Sequence, residues 1–332
     1  MKQRQFLILL FFMIFILASC QSPPNALEIA KEYYNLGNGY YKLGKIEESM
    51  NYYQIALSYD PSLSAARFNL CYAYIDKKDF ESAEVQARQL QKLNPGNDEI
   101  NNVLAYILSQ KDQIDEALAI YAEVLERAPE NITALNNSAI LYWEQKKTDK
   151  AIELFNRIIQ YDADNLTSFY NLGELYVSEG EFTKGIEKLQ VYLEQSPEDF
   201  QAQLWLARGL RGIEEYADAL SAYDQSLLLN TNQAGVWFEK AEILLLKVLD
   251  PQKGEIALEQ ALSMGYKDVK AIKELTEGQE VLEKNSIDDL LKKYKIDLSA
   301  EEKSLANPEA LENSGPGTVT EDAPEATSTA GE

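Results

Sequence analysis

The feature that most constrains this 332-residue chain is an internal period of 34 residues. Prolines fall at Pro61, Pro95, Pro129 and Pro197, and Ala163 and Thr231 stand in the two slots of that spacing without one. Twelve residues ahead of each slot lies a small residue: Ser49, Ala83, Ala117, Ala151, Gly185 and Ala219. Four residues after those come Tyr53, Ala87, Tyr121, Phe155, Leu189 and Tyr223, large and apolar in five of six. A unit of this length cannot bury its own apolar face, so successive units must stack.

Within one unit the apolar pattern is helical twice over. Tyr33, Leu36, Tyr40 and Leu43 share one face, and Ile46, Met50, Tyr53 and Leu57 share another. Gly44 between them permits the left-handed backbone that stops the first helix. Asp60-Pro61 closes the second, because the residue before a proline is pushed out of the helical region. Each unit is expected to be an antiparallel helix pair, with its small residue where the two helices cross most closely.

These residues resemble the tetratricopeptide repeat family. Residues 30–63 show the family's aromatic at Tyr33, its Leu36-Gly37 pair, Tyr40, Gly44, Tyr53, Ala56 and Pro61, with Ser49 where alanine is usual. Leu172, Gly173, Tyr176, Gly180 and Pro197 repeat the pattern, with Gly185 in the alanine slot. The resemblance implies an all-α fold, an α-solenoid of antiparallel helix pairs wound into a superhelix. Six units are expected within residues 25–233: 30–63, 64–97, 98–131, 132–165, 166–199 and 200–233. Trp237 opens a degenerate seventh over 234–266, its small residue displaced to Ala257 by an insertion around Asp250-Pro251. Capping helices follow over 267–306, including an amphipathic stretch from Ser286 to Tyr294. Residues 307–332 turn to Pro, Gly, Ser and Thr with six carboxylates and no base, and hold too little apolar surface to fold.

The opposite end reads as an address. Lys2 and Arg4 precede an apolar run from Phe6 to Leu17, which is shorter than the roughly 20 residues a spanning helix needs. A basic start, a short apolar run and small residues describe a secretory signal over 1–19. Leu17-Ala18-Ser19-Cys20 resembles the lipobox of bacterial lipoproteins. That resemblance implies a diacylglyceryl and palmitate anchor on Cys20, a tether over 20–24, and a place on the cell membrane or outer membrane facing the periplasm or exterior.

Composition narrows the chemistry. The formal charge of −23 at pH 7 opposes binding to nucleic-acid phosphates, so no nucleic-acid partner is expected. Histidine is absent, which removes the commonest general base and every His-containing zinc site. No catalytic residue, metal, cofactor or small-molecule substrate is expected, and the chain does not read as an enzyme. Gly39 to Lys45 fits a phosphate-cradling loop up to its last position, where Ile46 replaces the hydroxyl and no strand precedes. Asp162, Asp164 and Asn165 form only a fragment of a calcium loop and are expected to be an inter-repeat turn. Cys71 sits in the slot of Gly37 and is expected to be buried and inert.

The family resemblance also implies a concave, peptide-binding groove lined by the first helix of each unit. The matching positions are Tyr34, Asn35, Asn38 and Tyr41; Phe68, Asn69 and Tyr72; Asn102 and Tyr106; Asn136, Asn137 and Trp143; Tyr170, Asn171 and Glu174; and Trp205, Arg208 and Arg211. Amides donate and accept at once, which suits an extended backbone, and aromatic faces suit its side chains. Tyr72, Tyr106 and Trp143 are expected to line one stretch of it. Equally, Asn35, Asn69, Asn137 and Asn171 are residues frequent in the family that serve the stack. Lys31 and the Arg208/Arg211 pair are too far apart in sequence to clamp a terminal carboxylate. The expected function is a membrane-anchored protein-interaction scaffold. The alternative is a fixed subunit of an envelope machine for outer-membrane protein insertion or pilus secretin assembly.

Overall fold

In a computed structural model, which describes residues 25–277 and 284–298, the chain forms sixteen helices, with no strand among the described residues. It divides into two compact units, parting between Ala151 and Ile152. The first holds α1 (Ala26–Lys42), α2 (Ile46–Tyr59), α3 (Ser64–Asp76), α4 (Phe80–Leu93), α5 (Asp98–Gln110), α6 (Ile114–Arg127) and α7 (Ile132–Glu144). The division falls inside α8 (Thr148–Tyr161). The second holds α9 (Leu166–Ser178), α10 (Phe182–Gln195), α11 (Phe200–Gly212), α12 (Tyr216–Leu229), α13 (Ala234–Leu246), α14 (Pro251–Ser263), α15 (Val269–Glu277) and α16 (Lys284–Lys293). The signal segment, Cys20 with its tether and the acidic tail lie outside the described residues. No helix among those described is long and apolar enough to cross a membrane.

One backbone device joins the helices of each pair. Gly44, Lys78, Asp112, Lys146, Gly180 and Glu214 all take positive φ, between 57° and 80°, at the 34-residue spacing. Each ends a helix with the paired bonds of a Schellman cap: Lys45 N–H donates to Tyr40 O at 3.0 Å and Gly44 N–H to Tyr41 O at 2.9 Å, and Asp79, Gln113, Lys147, Glu181 and Glu215 repeat the longer bond. The joints between pairs are capped as regularly. The side chains of Asn97, Asn131, Asn165 and Asp199 accept from backbone N–H groups at the start of α5, α7, α9 and α11. Asn165, part of the apparent calcium fragment, is one of these caps, and its amide donates to Asp162 at 3.1 Å.

The two columns of the sequence pattern form the interior. Ser49, Ala83, Ala117, Ala151 and Ala219 are fully buried, as are Tyr53, Tyr121, Phe155, Leu189 and Tyr223. The crossing is tight. A Cβ on Gly185 would lie 2.5 Å from the Val177 side chain and 2.9 Å from Gly173 O. Cys71 is buried, its thiol donating to Ala83 O at 3.4 Å and pushed up to about 12 by burial. The seventh pair corrects one expectation. The left-handed turn falls at Leu249, φ 59°, 35 rather than 34 residues after Glu214, and Asp250 N–H reaches back to Leu244 O. A single extra residue therefore enters the turn, and Gly254 fills the crossing slot, where an added Cβ would lie 2.5 Å from the Leu245 side chain; Ala257 is buried one turn further on. α14 and α15 meet at Gly265, whose φ is 89°.

Candidate functional site

In the first compact unit most of the groove amides are committed to the stack. Asn38 Oδ1 accepts from the Tyr53 hydroxyl at 2.9 Å and from Asn69 Nδ2 at 2.7 Å. Two repeats on, Asn137 Nδ2 donates to the Tyr121 hydroxyl at 3.0 Å. Tyr53 and Tyr121 come from second helices, and Asn69 and Asn137 from the next first helices, 16 residues later. The amides thus seat a buried phenol at these two interfaces, and burial raises both phenol pKa values, to about 12 for Tyr53. The Tyr41 hydroxyl donates to Asp76 at 2.5 Å, and Tyr34 tilts against Tyr53 with centroids 6.1 Å apart.

Some residues expected in the groove are not open. Tyr72 is 4 % exposed, in edge contact with Phe68 and inside the core formed by α3 to α7. Asn102 is 7 % exposed, its Nδ2 donating to the cap residue Asn131 at 3.0 Å while its Oδ1 has no hydrogen-bond partner. In the second unit Asn171 and Glu174 are 1 % and 7 % exposed. Asn102 reaches the cap of α7, and Glu174 lies beside Arg208 of α11. Asn35 is exposed, and Phe68, Tyr106, Asn136 and Trp143 are half-buried at the surface of the first unit.

The second unit carries an open cleft of about 620 Å³, lined by Val177, Phe182, Trp205, Arg208, Arg211, Gly212 and Glu239. Gly212 lets the floor approach closely, since a Cβ there would lie 2.5 Å from the Phe182 ring. The Arg208 guanidinium stacks on Trp205 at 4.8 Å and forks onto Glu239 with contacts of 2.7 to 3.2 Å. The Tyr223 hydroxyl holds the same carboxylate at 2.7 Å, and Arg211 pairs with Glu242 at 3.0 Å. Burial works against the charge on Arg208, but the hydrogen bonds and charge of Glu239 carry its pKa above the ordinary value. Burial lifts Glu174 to about 7, opposed by the Tyr170 hydroxyl donating to it and by the Arg208 charge. The arginines thus arrive neutralised, with remaining N–H donors and an aromatic wall beside them.

Val177, Phe182, Gly212, Glu239 and Glu242 were not anticipated from sequence. Glu239 and Glu242 continue the columns of Asn35 and Asn38 into the seventh pair, so extending the columns one unit further finds them. Phe182 and Gly212 flank turns and carry no such signal. Among the described residues no group of three or more His, Cys, Asp or Glu is placed to hold a metal.

Models of the tetratricopeptide repeat match residues 30–63 and, in overlapping spans, 78–141, 108–174 and 142–209, together half of the chain. Among solved structures, a tetratricopeptide repeat protein from Parabacteroides merdae is 16 % identical with a TM-score of 0.56, covering 81 % of this chain and 99 % of its own. Pseudomonas aeruginosa pilF is 20 % identical at 0.57, covering 66 % and 99 %, and PilW, a type IV pilus biogenesis factor, is 18 % identical at 0.55, covering 61 % and 94 %. At these identities the likeness is one of fold. No curated protein matches the sequence.

Proposed function

Because the chain belongs to the tetratricopeptide repeat proteins, we propose that it is a noncatalytic interaction scaffold, lipid-anchored through Cys20 at the cell envelope, that binds an extended segment of a protein partner. The observation that carries the binding reading is the cleft of the second unit. Trp205, Phe182 and Val177 offer an apolar wall for one bulky side chain. Arg208 and Arg211, already paired with Glu239 and Glu242, offer N–H donors to main-chain carbonyls without the unpaired positive charge that a terminal carboxylate would need. On the first unit, Asn35 is exposed and Trp143 half-buried, so an aromatic and an amide also reach the surface there. Anchoring is supported by Leu17-Ala18-Ser19-Cys20 behind a short apolar run.

A photo-crosslinker in place of Trp205, activated in native membranes, tests the binding reading. A crosslinked protein fragment at this position, and none at exposed Val85 on α4, is the expected result. A folded protein that yields no crosslink at Trp205 contradicts it. A partner that instead survives detergent in fixed stoichiometry favours the alternative, a permanent subunit of an envelope assembly machine. For the anchor, Cys20→Ser is expected to leave an uncleaved or a soluble exported protein, and a variant matured and membrane-bound like the wild type contradicts it.

A further inference from the structure

The stack ends, at α1 and α2, on a face that later repeats bury. In the column of Leu36, the first-helix residues Leu70, Leu104, Ser138 and Leu172 are 2 %, 0 %, 4 % and 0 % exposed, whereas Leu36 itself is 47 % exposed; Leu43, at the end of the same helix, is 72 % exposed. Alongside them runs a ladder of four half-buried tyrosines from both helices. Tyr33 stacks on Tyr52 at 6.2 Å and on Tyr59 at 5.8 Å, and Tyr40 stacks on Tyr52 at 5.0 Å with Lys45 over its ring. Tyr33, Leu36 and Tyr40 fall within an arc of about 60° on α1, and Leu43 caps that helix, so they form one surface.

A repeat stack exposed to water on all sides needs a polar outer face at its end. This end presents leucines and phenol rings instead, and tyrosine, with an apolar body and a polar tip, is the side chain that settles between hydrocarbon and water. The chain outside the structure points to the medium. Cys20 precedes Ala26 by six residues, so acyl chains on Cys20 keep the start of α1 within at most about 20 Å of the bilayer surface.

We propose that the Tyr33–Tyr40–Tyr52–Tyr59 ladder with Leu36 and Leu43 is a lipid-facing surface that lays α1 and α2 on the headgroup layer and fixes the orientation of the first unit. This rests on the reading of Cys20 as a lipid anchor. Glu32 and Glu48 border the face by helical register, against Lys45, so the attraction is interfacial and gains nothing from anionic lipid.

The test uses the full lipidated chain in phosphatidylcholine vesicles with a polarity-sensitive fluorophore on Leu36→Cys or, as control, on Val85→Cys. Both sites are exposed, and Cys71 is buried with a raised pKa, so the new thiol alone reacts. The Leu36 label is expected to shift to the blue and to lose emission to brominated phosphatidylcholine, while the Val85 label does neither. A water-like Leu36 label on vesicles whose protein carries acyl chains on Cys20, confirmed by mass, overturns the inference and leaves the anchor standing. A shift that appears without vesicles and grows with protein concentration assigns the face to a second copy and also overturns it. Absence of acyl chains from Cys20 in the mature membrane protein defeats the anchor reading and this inference with it.

Discussion

Tyr121 and Asn137 show how a polar residue in this stack acquires its place. The phenol is fully buried and the amide is its partner across the repeat joint, so Tyr121→Phe removes the acceptor from Asn137 Nδ2. The expected cost is about 1 kcal/mol, the net worth of one such bond, measured as a lower denaturant midpoint at unchanged slope. Glu174 behaves in the opposite sense. Its folded pKa of about 7 lies above the ordinary 4.5, so between those values the native state holds a proton that the unfolded chain has lost. Stability from this group is therefore present below about pH 4.5, falls as pH rises toward 7, and stays lost above it. Glu174→Gln is expected to stabilise the protein at pH 8 by on the order of 3 kcal/mol relative to pH 4.5, since each pKa unit is worth 1.36 kcal/mol. Chemical unfolding of both proteins across that range reads the difference; a gap that does not widen with pH would contradict the assignment.

The helix pairs were largely legible from residues alone, because close packing leaves a signature: a buried column of Ser49, Ala83, Ala117, Ala151, Gly185 and Ala219 has few solutions other than small side chains. The turns were legible only where glycine marks them. Gly44 and Gly180 declare a left-handed residue, but Lys78, Asp112, Lys146 and Glu214 adopt the same conformation because the Schellman bonds on either side outweigh their steric cost. Leu249 is the extreme case, a branched residue at φ 59° in a turn lengthened by one position, and that single insertion hid the true register of Gly254. Leu249→Gly is expected to raise stability by about 1 kcal/mol, the left-handed strain removed exceeding the added entropy of the unfolded chain. Thermal unfolding would show it as a higher midpoint; a lower one would mean the Leu249 side chain packs more than its half-exposure implies.

At the scale of the whole molecule the amide and aromatic columns divide into two uses that sequence periodicity cannot separate. Asn69 and Asn137 hold the stack, and Tyr72, Asn102, Asn171 and Glu174 are enclosed by it, whereas Trp205, Arg208 and Arg211 open onto a cleft. The same spacing serves both because a first-helix position meets a neighbouring repeat or solvent according to side-chain size and the pairing of its neighbours. The proposed binding therefore centres on Trp205, where a rigid aromatic stands against the pre-paired Arg208 guanidinium, in keeping with the few anchors that dominate most interfaces. The most direct measurement is a titration of the purified crosslinked partner segment against wild-type and Trp205→Ala protein, with helicity and thermal midpoint recorded for both. At least about tenfold weaker binding, or 1.4 kcal/mol, is expected of a variant that remains folded; equal affinity in a folded variant would contradict a binding role for Trp205.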